Sequence, residues 1–301
     1  MRNGVTSYSV VIPARNAERT IGAVLSALAS QEPAPAEVVV VDDGSTDRTA
    51  EIAGEHGARV LPGTGVKYAG GARNQGWDAA RSDVVVFLDA DAIPRPGWGA
   101  GLARALAEYS GAVIGCARSF EPKTAWGWVA YIQFETPYLP FGKPHPRRFV
   151  SSFCLAVPRD APLRWDESYG GEDGVFSADA LAAGFRLVFD PRFQALHDHG
   201  RETFRDLRGQ QRRLAYGLAR LGPVQKEGVH KRVLARFPIH YFALLRLAVI
   251  YRRIRGVPEL RARFLRHFPR LVVAEWTLGS SALRYALRPP PARGQQGSGF
   301  R

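Results

Sequence analysis

The sequence predicts an α/β fold: a mostly parallel sheet flanked by helices, followed by a helical, amphipathic C-terminal tail. Three observations carry this expectation. Short β-branched runs such as Val38-Val39-Val40-Val41 and Val84-Val85-Val86-Phe87-Leu88 have no polar alternation, as strands buried on both faces require. Segments of helical periodicity separate these runs, and strand–helix–strand alternation at this spacing makes parallel βαβ units with right-handed crossovers. The charge is divided unevenly. Residues 1–200 hold 19 Lys+Arg against 23 Asp+Glu, a balance of −4, and residues 201–301 hold 22 against 5, a balance of +17.

Element by element, Ser7–Ile12 reads as the first strand. A helix opens at Asn16 or Ala17, with Ile21, Val24, Leu25 and Leu28 at i, i+3, i+4 and i+7, and Pro33 and Pro35 break it. Glu37–Val41 is the second strand. The loop Asp42-Asp43-Gly44-Ser45-Thr46-Asp47 follows, with Asp47 able to cap a helix through about Glu55. Ala58–Leu61 is a short third strand. Gly63, Gly65, Gly70 and Gly71 form a loose loop before a helix at Ala72–Ala80, and Val84–Leu88 is the fourth strand. Trp98–Tyr109 reads as helix, Gly111–Ala117 as strand, and Phe185–Phe189 as a strand ending in an Asp-Pro turn. Pro289-Pro290-Pro291 through Arg301 is Pro/Gly/Gln/Ser-rich and expected to be disordered. The domain expectation is a nucleotide-binding domain over 1–200, a basic helical region over 201–288 and a disordered tail over 289–301.

At 301 residues the chain can bury a substantial core. Its two cysteines, Cys116 and Cys154, match neither a disulfide framework nor a zinc pattern and read as buried thiols. The first apolar cluster, Val10-Val11-Ile12, ends at Pro13 and is too short for a signal-peptide core, which gives the expectation of a cytoplasmic protein.

Chemistry concentrates where strands end, since α/β sheets bind ligands in the crevice outside their carboxyl ends. Asp89 and Asp91 follow the fourth strand, and two acids one residue apart there can hold a divalent cation against nucleotide phosphates. They would equally serve as caps of a helix or turn entered at Pro94. The first βα turn carries Pro13-Ala14-Arg15-Asn16 and the second Asp42-Asp43-Gly44-Ser45. An acid in the second could accept from a nucleobase or ribose, and Arg73 could pair with a diphosphate. No GxGxxG and no GxxxxGK[ST] is present, so neither a dinucleotide fingerprint nor a P-loop is indicated.

These pieces, read together, resemble the ordered signature of family 2 glycosyltransferases. The resemblance runs through Ser9–Asn16, Val40–Asp47, Ala72-Arg73-Asn74, Leu88-Asp89-Ala90-Asp91, Trp165–Asp173 and Ala183–Pro191 to His197, and covers about residues 7–200. It implies a GT-A fold, a nucleoside diphosphate sugar donor of the UDP or GDP type, and Mn2+ or Mg2+. By this resemblance Asp91, with Asp89, is the metal-binding DxD motif, and His197 contacts the metal or diphosphate. Pro13, Ala14, Arg15, Asn16, Asp42, Asp43, Arg73, Asp89 and Ala90 line the nucleotide sugar, with Asp43 or Asp42 meeting the base. Arg15 stands where family members usually carry an aromatic. The Glu172-Asp173 pair matches the family's catalytic acids: Asp173 would be the base of an inverting transfer to an acceptor hydroxyl and Glu172 would orient it. Read on their own residues, the same two acids would also fit a helix N-terminus after Gly170-Gly171.

Gln210-Gln211-Arg212-Arg213 matches a QxxRW motif only loosely, which argues against a processive synthase. Segment 121–150 is rich in aromatics, suited to an acceptor or to packing. In the tail, Phe237–Tyr251, followed by Arg252-Arg253-Ile254-Arg255, and Leu271–Leu283, which contains Glu275, fall short of the about 20 apolar residues of a spanning helix. They fit interfacial helices on an anionic membrane surface, placing the protein peripherally at the inner face of the cell membrane near a lipid-linked or cell-envelope glycan acceptor. A helical cap with a solvated basic face is the plainer alternative. No nucleic-acid motif accompanies the charge, so nucleic acid is not an expected partner. A non-catalytic scaffold that binds sugar nucleotide and docks on a membrane, and a nucleotidyltransferase, are the competing functional readings.

Overall fold

The structure is a computed structural model that describes residues 7–64, 68–168, 170–221 and 239–287. The Pro-rich stretch at 289–301, Gly65, Tyr169 and the Phe237-Pro238 start of the first apolar tail segment lie outside the described residues. The chain divides into two compact units: Met1–Ser119 with Tyr138–Ser168 and Glu172–His199, and Phe120–Pro137 with Tyr169–Gly171 and Gly200–Arg301.

The first unit is the α/β unit. Its strands are β1 (Tyr8–Ala14), β2 (Glu37–Asp42), β3 (Arg59–Pro62), β4 (Val84–Leu88), β5 (Ala92–Pro94), β6 (Val113–Ser119), β7 (His145–Arg147), β8 (Cys154–Pro158) and β9 (Leu187–His197). They form one sheet in the order β3-β2-β1-β4-β8-β6-β9-β5, with β7 also paired to β9. β1–β4, β6 and β9 run one way, and β5, β7 and β8 run against them. The mostly parallel expectation therefore holds, but β8 inserts antiparallel between β4 and β6. Helices α1 (Ile21–Ala29), α2 (Thr49–Glu55), α3 (Ala69–Ala79), α4 (Trp98–Glu108) and α6 (Glu172–Ala182) cover the sheet; α5 (Ala125–Ala130) belongs to the second unit.

Successive residues of a strand point to opposite faces, and both faces here are buried. Val10 and Ile12 of β1, with Val84, Val86 and Leu88 of β4, join Ile21, Leu28, Trp98 and Leu102 in one layer. Val11, Val85 and Phe87 join Val39, Val41, Trp77, Trp165 and Phe176 in the other. That is why β2 and β4 read as unbroken apolar runs. In the second layer Trp165 stacks on Phe176 at 4.2 Å, and Phe87 meets both Trp165 and Trp77 edge-on at 5.2 Å.

Two expectations are corrected here. The helix after β3 starts at Ala69, so Gly70 and Gly71 lie inside α3 and not in a loose loop. Gly70 is required by close approach: a Cβ there would fall 2.1 Å from the carbonyl oxygen of Asp166. Asp190-Pro191 is not a turn ending a strand at Phe189. β9 runs on to His197, and its pairing with β6 shifts register between Cys116 and Ala117, so Pro191 occupies a bulge. Asp190, fully buried, is engaged by Arg192 at 2.6 Å.

The second unit is helical: α5, a π-helical turn at Tyr131–Glu135, α7 (Phe204–Leu221), α8 (Ile239–Ile254), α9 (Pro258–Arg266) and α10 (Phe268–Leu287). Thr124 caps α5, its hydroxyl accepting from the Gly127 N–H at 3.0 Å, and Glu202 accepts from the Thr124 N–H at 2.9 Å. Glu275, the acid inside the second apolar tail segment, is fully buried. It accepts from Arg246 Nε at 2.7 Å and from Gln133 Nε2 at 3.1 Å, so its charge is paired. Among the described residues no helix is long and apolar enough to cross a membrane.

Candidate active site

The carboxyl ends of β1, β2, β4, β6 and β9 and the amino end of β8 share one edge of the sheet. There the first two βα turns are tied to each other. The Asp43 N–H donates to Ala14 O at 2.9 Å, the Asn16 N–H to Ser45 Oγ at 2.9 Å, and the Thr46 N–H to Asn16 Oδ1 at 2.8 Å. Asn16 adopts the left-handed region (φ 50°), which Asn tolerates better than most residues. Asp42 is engaged by its own loop, accepting from the N–H and hydroxyl of Ser45. Asp43 accepts no side-chain hydrogen bond among the described residues. Its partial burial raises its carboxyl above the ordinary range, against the pull of Arg15 and with the push of Asp42. Pro13 is half-buried, Ala14 buried and Arg15 exposed.

Asp89 and Asp91 do not cap a helix. Their segment is a tight turn closed by the Ala92 N–H donating to Asp89 O at 3.0 Å, with the half-buried Ala90 inside it, and α4 begins later, after Gly97 (φ 80°). The turn leads straight into β5, where Ala92 pairs with His197 of β9, and the Asp198 N–H donates to Asp91 O at 2.8 Å. This pairing sets Asp91 Oδ1 3.8 Å from His197 Nε2. That exceeds a hydrogen bond but lies within the span of two ligand bonds of about 2.1 Å to one cation. Asp91 and His197 together offer a carboxylate and an imidazole, donors that suit a divalent ion such as Mn2+, while Asp89 Oδ1 is taken by Arg73.

Arg73 links this turn to the start of α6. Its side chain is 3 % exposed; Nη2 lies 2.7 Å from Asp89 Oδ1 and Nη1 lies 3.5 Å from Glu172 Oε1. Burial disfavours the guanidinium charge, but Asp89, Glu172 and Asp173 outweigh it and hold Arg73 above its usual range. Its guanidinium also sits 4.9 Å from the centre of the Trp165 ring. Burial pushes the Glu172 carboxyl up, the adjacent Asp173 adds to this, and Arg73 opposes it. Arg73 is thus placed between two acids at the back of the edge.

Asp173 is held by residues that motif reading passed over. Asp173 Oδ2 accepts from Ser151 Oγ at 3.2 Å, and the same hydroxyl accepts from Arg118 Nη2. Arg118 is 7 % exposed, clasped between the rings of Tyr138 (4.3 Å) and Phe153 (4.5 Å). The Phe153 ring in turn lies 4.7 Å from that of His197. Arg118 was within reach of sequence reasoning, because it follows the apolar run Val113–Ala117 just as Asp89 follows Val84–Leu88. Ser151 was not, because its position depends on β8 running antiparallel.

The mixed sheet thus carries two acid pairs on one edge, joined by the buried Arg73, with an imidazole beside the first pair. The profile of Glycosyl transferase family 2 matches residues 9–161, and the chain belongs to that family. Over 101 residues it is 44% identical to a 4,4'-diaponeurosporenoate glycosyltransferase of Staphylococcus haemolyticus, a match that spans 30% of this chain and 26% of that one. The Staphylococcus aureus (strain USA300) counterpart is 39% identical over 90 residues. The matched region is thus about a quarter of these curated relatives. Among solved structures, the mannosyltransferase PcManGT from Pyrobaculum calidifontis, in complex with GDP-Man and Mn2+, superposes with a TM-score of 0.60 over 94% of this chain and 88% of that one at 17% identity. S. aureus TarS 1-349 gives 0.52 over 94% and 92% at 18% identity. These likenesses bear out the GT-A fold.

Proposed function

We propose that this protein is an inverting glycosyltransferase that moves a sugar from a nucleoside diphosphate donor of the UDP or GDP type to a hydroxyl of a glycan or lipid-linked acceptor. The observation that carries the reading is Arg73. One buried cation joins the acid of the Asp89 turn to the Glu172-Asp173 pair, so leaving-group and acceptor chemistry meet at one point. Asp43, whose carboxylate its own loop leaves available, is the acid assigned to the base or ribose. Pro13, Ala14, Arg15 and Asn16 border the nucleotide from the β1 turn.

Asp173 acts as base. Its carboxylate, oriented by Ser151, takes the acceptor hydroxyl proton as that oxygen bonds to the anomeric carbon, and the bond from that carbon to the diphosphate breaks on the opposite face. Glu172 orients the acceptor, and Arg73 supplies fixed positive charge behind both acid pairs. Asp91, Asp89 and His197 are the groups that would hold a divalent cation, which when bound neutralises charge developing on the leaving diphosphate.

The test is a panel of UDP- and GDP-sugars with Mn2+ or Mg2+, read by thermal unfolding and by release of nucleoside diphosphate. A donor at about 100 times its Kd adds about 2.7 kcal/mol of stability. Asp91→Ala should remove the metal-dependent part of that gain and the turnover. Release of inorganic diphosphate from a nucleoside triphosphate and a sugar 1-phosphate, with no nucleoside diphosphate released from any sugar nucleotide, would identify a nucleotidyltransferase and overturn the reading.

The second unit supports peripheral attachment to an anionic membrane surface at the cytoplasmic face. Helix α8 exposes Leu244, Leu245, Val249 and Tyr251 ahead of Arg252 and Arg253, and α10 exposes Val273, Trp276 and Leu283. Large apolar side chains facing out beside arginines are the composition of an interfacial helix.

A further inference from the structure

We propose that Ser151 is a positioning residue for sugar transfer: Arg118 fixes the direction of its hydroxyl, the hydroxyl holds the Asp173 carboxylate, and residues 150–153 brace that base against the Asp89 turn. The inference rests on the glycosyl-transfer reading and deepens it, by assigning what keeps the base in register with the leaving group.

The Ser151 hydroxyl has one proton and two lone pairs. Two groups that can only donate are directed at its oxygen, Arg118 Nη2 and the Phe153 N–H, the latter at 3.4 Å. A guanidinium is not deprotonated in proteins and an N–H has no lone pair to offer, so neither can take the hydroxyl proton. The partner that can is the Asp173 carboxylate, whose Oδ2 lies 3.2 Å away. The hydrogen bond therefore runs one way, from Ser151 to Asp173.

The same short segment also holds the main chain of Asp173. The buried Ser177 of α6 donates its hydroxyl to Asp173 O at 2.7 Å and accepts from the Val150 N–H at 3.1 Å. At the other end of the segment, Phe153 O accepts from the Asp89 N–H at 2.9 Å, and the Phe153 ring lies 4.7 Å from that of His197. Residues 150–153 are thus tied to the side chain and backbone of the assigned base and to the turn that carries the leaving-group acids. In-line transfer needs the base, the acceptor oxygen and the anomeric carbon aligned, and a misplacement of about 1 Å can cost on the order of 10²-fold in rate. Ser151 touches none of the reacting atoms in this scheme and acts through Asp173.

The test uses the full chain with Mn2+ and the panel of UDP- and GDP-sugars, with water as the acceptor. It reads kcat from release of nucleoside diphosphate and nucleotide affinity from titration with UDP or GDP. Ser151→Ala should lower kcat about ten- to a hundredfold, the range of a lost hydrogen bond to a charged group, while nucleotide affinity stays within about twofold. Because Ser151 acts through the carboxylate, the same change made on top of Asp173→Asn should lower the rate by less than about twofold more. A residue that only supports the fold would cost as much in either background. A parental kcat in Ser151→Ala, a fall in nucleotide affinity that matches the fall in kcat, or an undiminished loss in the Asp173→Asn background would overturn the inference and leave the transferase reading standing. A parent chain that releases no nucleoside diphosphate from any sugar nucleotide of the panel would remove that reading, and this inference with it.

Discussion

At Asp173 a single carboxylate has one oxygen committed to Ser151, so geometry and proton transfer can be separated by substitution. Asp173→Asn keeps the shape and the hydroxyl partner but cannot take a proton. Nucleotide affinity should stay within about twofold while transfer falls by roughly 10²- to 10⁴-fold, the range of general-base catalysis. Full turnover in that variant would remove Asp173 from the role. Its neighbour Glu172 carries a different signature. Burial and the charge of Asp173 raise its carboxyl in the folded state. Between the ordinary glutamate value and the raised one, the native protein holds a proton that the unfolded chain has lost, so stability falls as pH rises through that window. Glu172→Gln should flatten that part of the stability–pH curve. Urea unfolding from about pH 4 upward measures this, and parallel curves for the two proteins would mean that Glu172 does not titrate in this way.

Elements carry the site through close packing, as where α3 lies on β1 and β2. A Cβ at Gly76 would stand 2.2 Å from Val11 Cγ1 and 3.2 Å from Val41 Cγ2. Replacing Gly by Ala gains about 1 kcal/mol of helix propensity, but overpacking costs about 1 to 3 kcal/mol. At 2.2 Å the clash should win. Gly76→Ala is expected to destabilise the protein by about 1 kcal/mol or more, with Val11→Ala recovering part of the loss in a double-mutant cycle. Additive effects of the two changes would show that the helix shifts instead of clashing. The same contact shows what was legible beforehand. β1, β2 and β4 announce themselves because two-sided burial forces unbroken apolar sequence, and the acids at their ends follow from strand direction alone. β5, β7 and β8 do not. β5 and β7 are only three residues long, and each of the three is defined by an antiparallel partner far along the chain: Ala92 with His197, His145 with Phe189, Leu155 with Phe87. The contact between Asp91 and His197 and the one between Ser151 and Asp173 depend on those strands, so Asp91, His197 and Asp173 could be named from motifs while Ser151 could not.

Across the whole molecule the division of charge is the feature that a sheet and its site leave unexplained: −4 over residues 1–200 and +17 over 201–301. A solvated basic face would account for the arginines but not for Leu244 at 58 %, Leu265 at 60 % and Trp276 at 52 % exposure in the same unit. Exposed apolar side chains cost nothing beside lipid, and each nearby arginine adds on the order of 1 kcal/mol at an anionic surface. The two contributions respond differently to salt, because the Debye length shrinks from about 10 Å at 0.1 M to about 3 Å at 1 M while apolar burial is not screened. The full chain should therefore float with phosphatidylglycerol vesicles at low salt and be largely released at about 1 M salt, with little binding to phosphatidylcholine alone. Exchange of Arg252, Arg253 and Arg255 for Gln should lower the salt-sensitive part, and Leu244→Ser with Trp276→Ser the part that salt leaves behind. A protein that stays at the bottom of the gradient with anionic vesicles at low salt has no peripheral attachment of this kind, and its arginines then belong to a solvated surface.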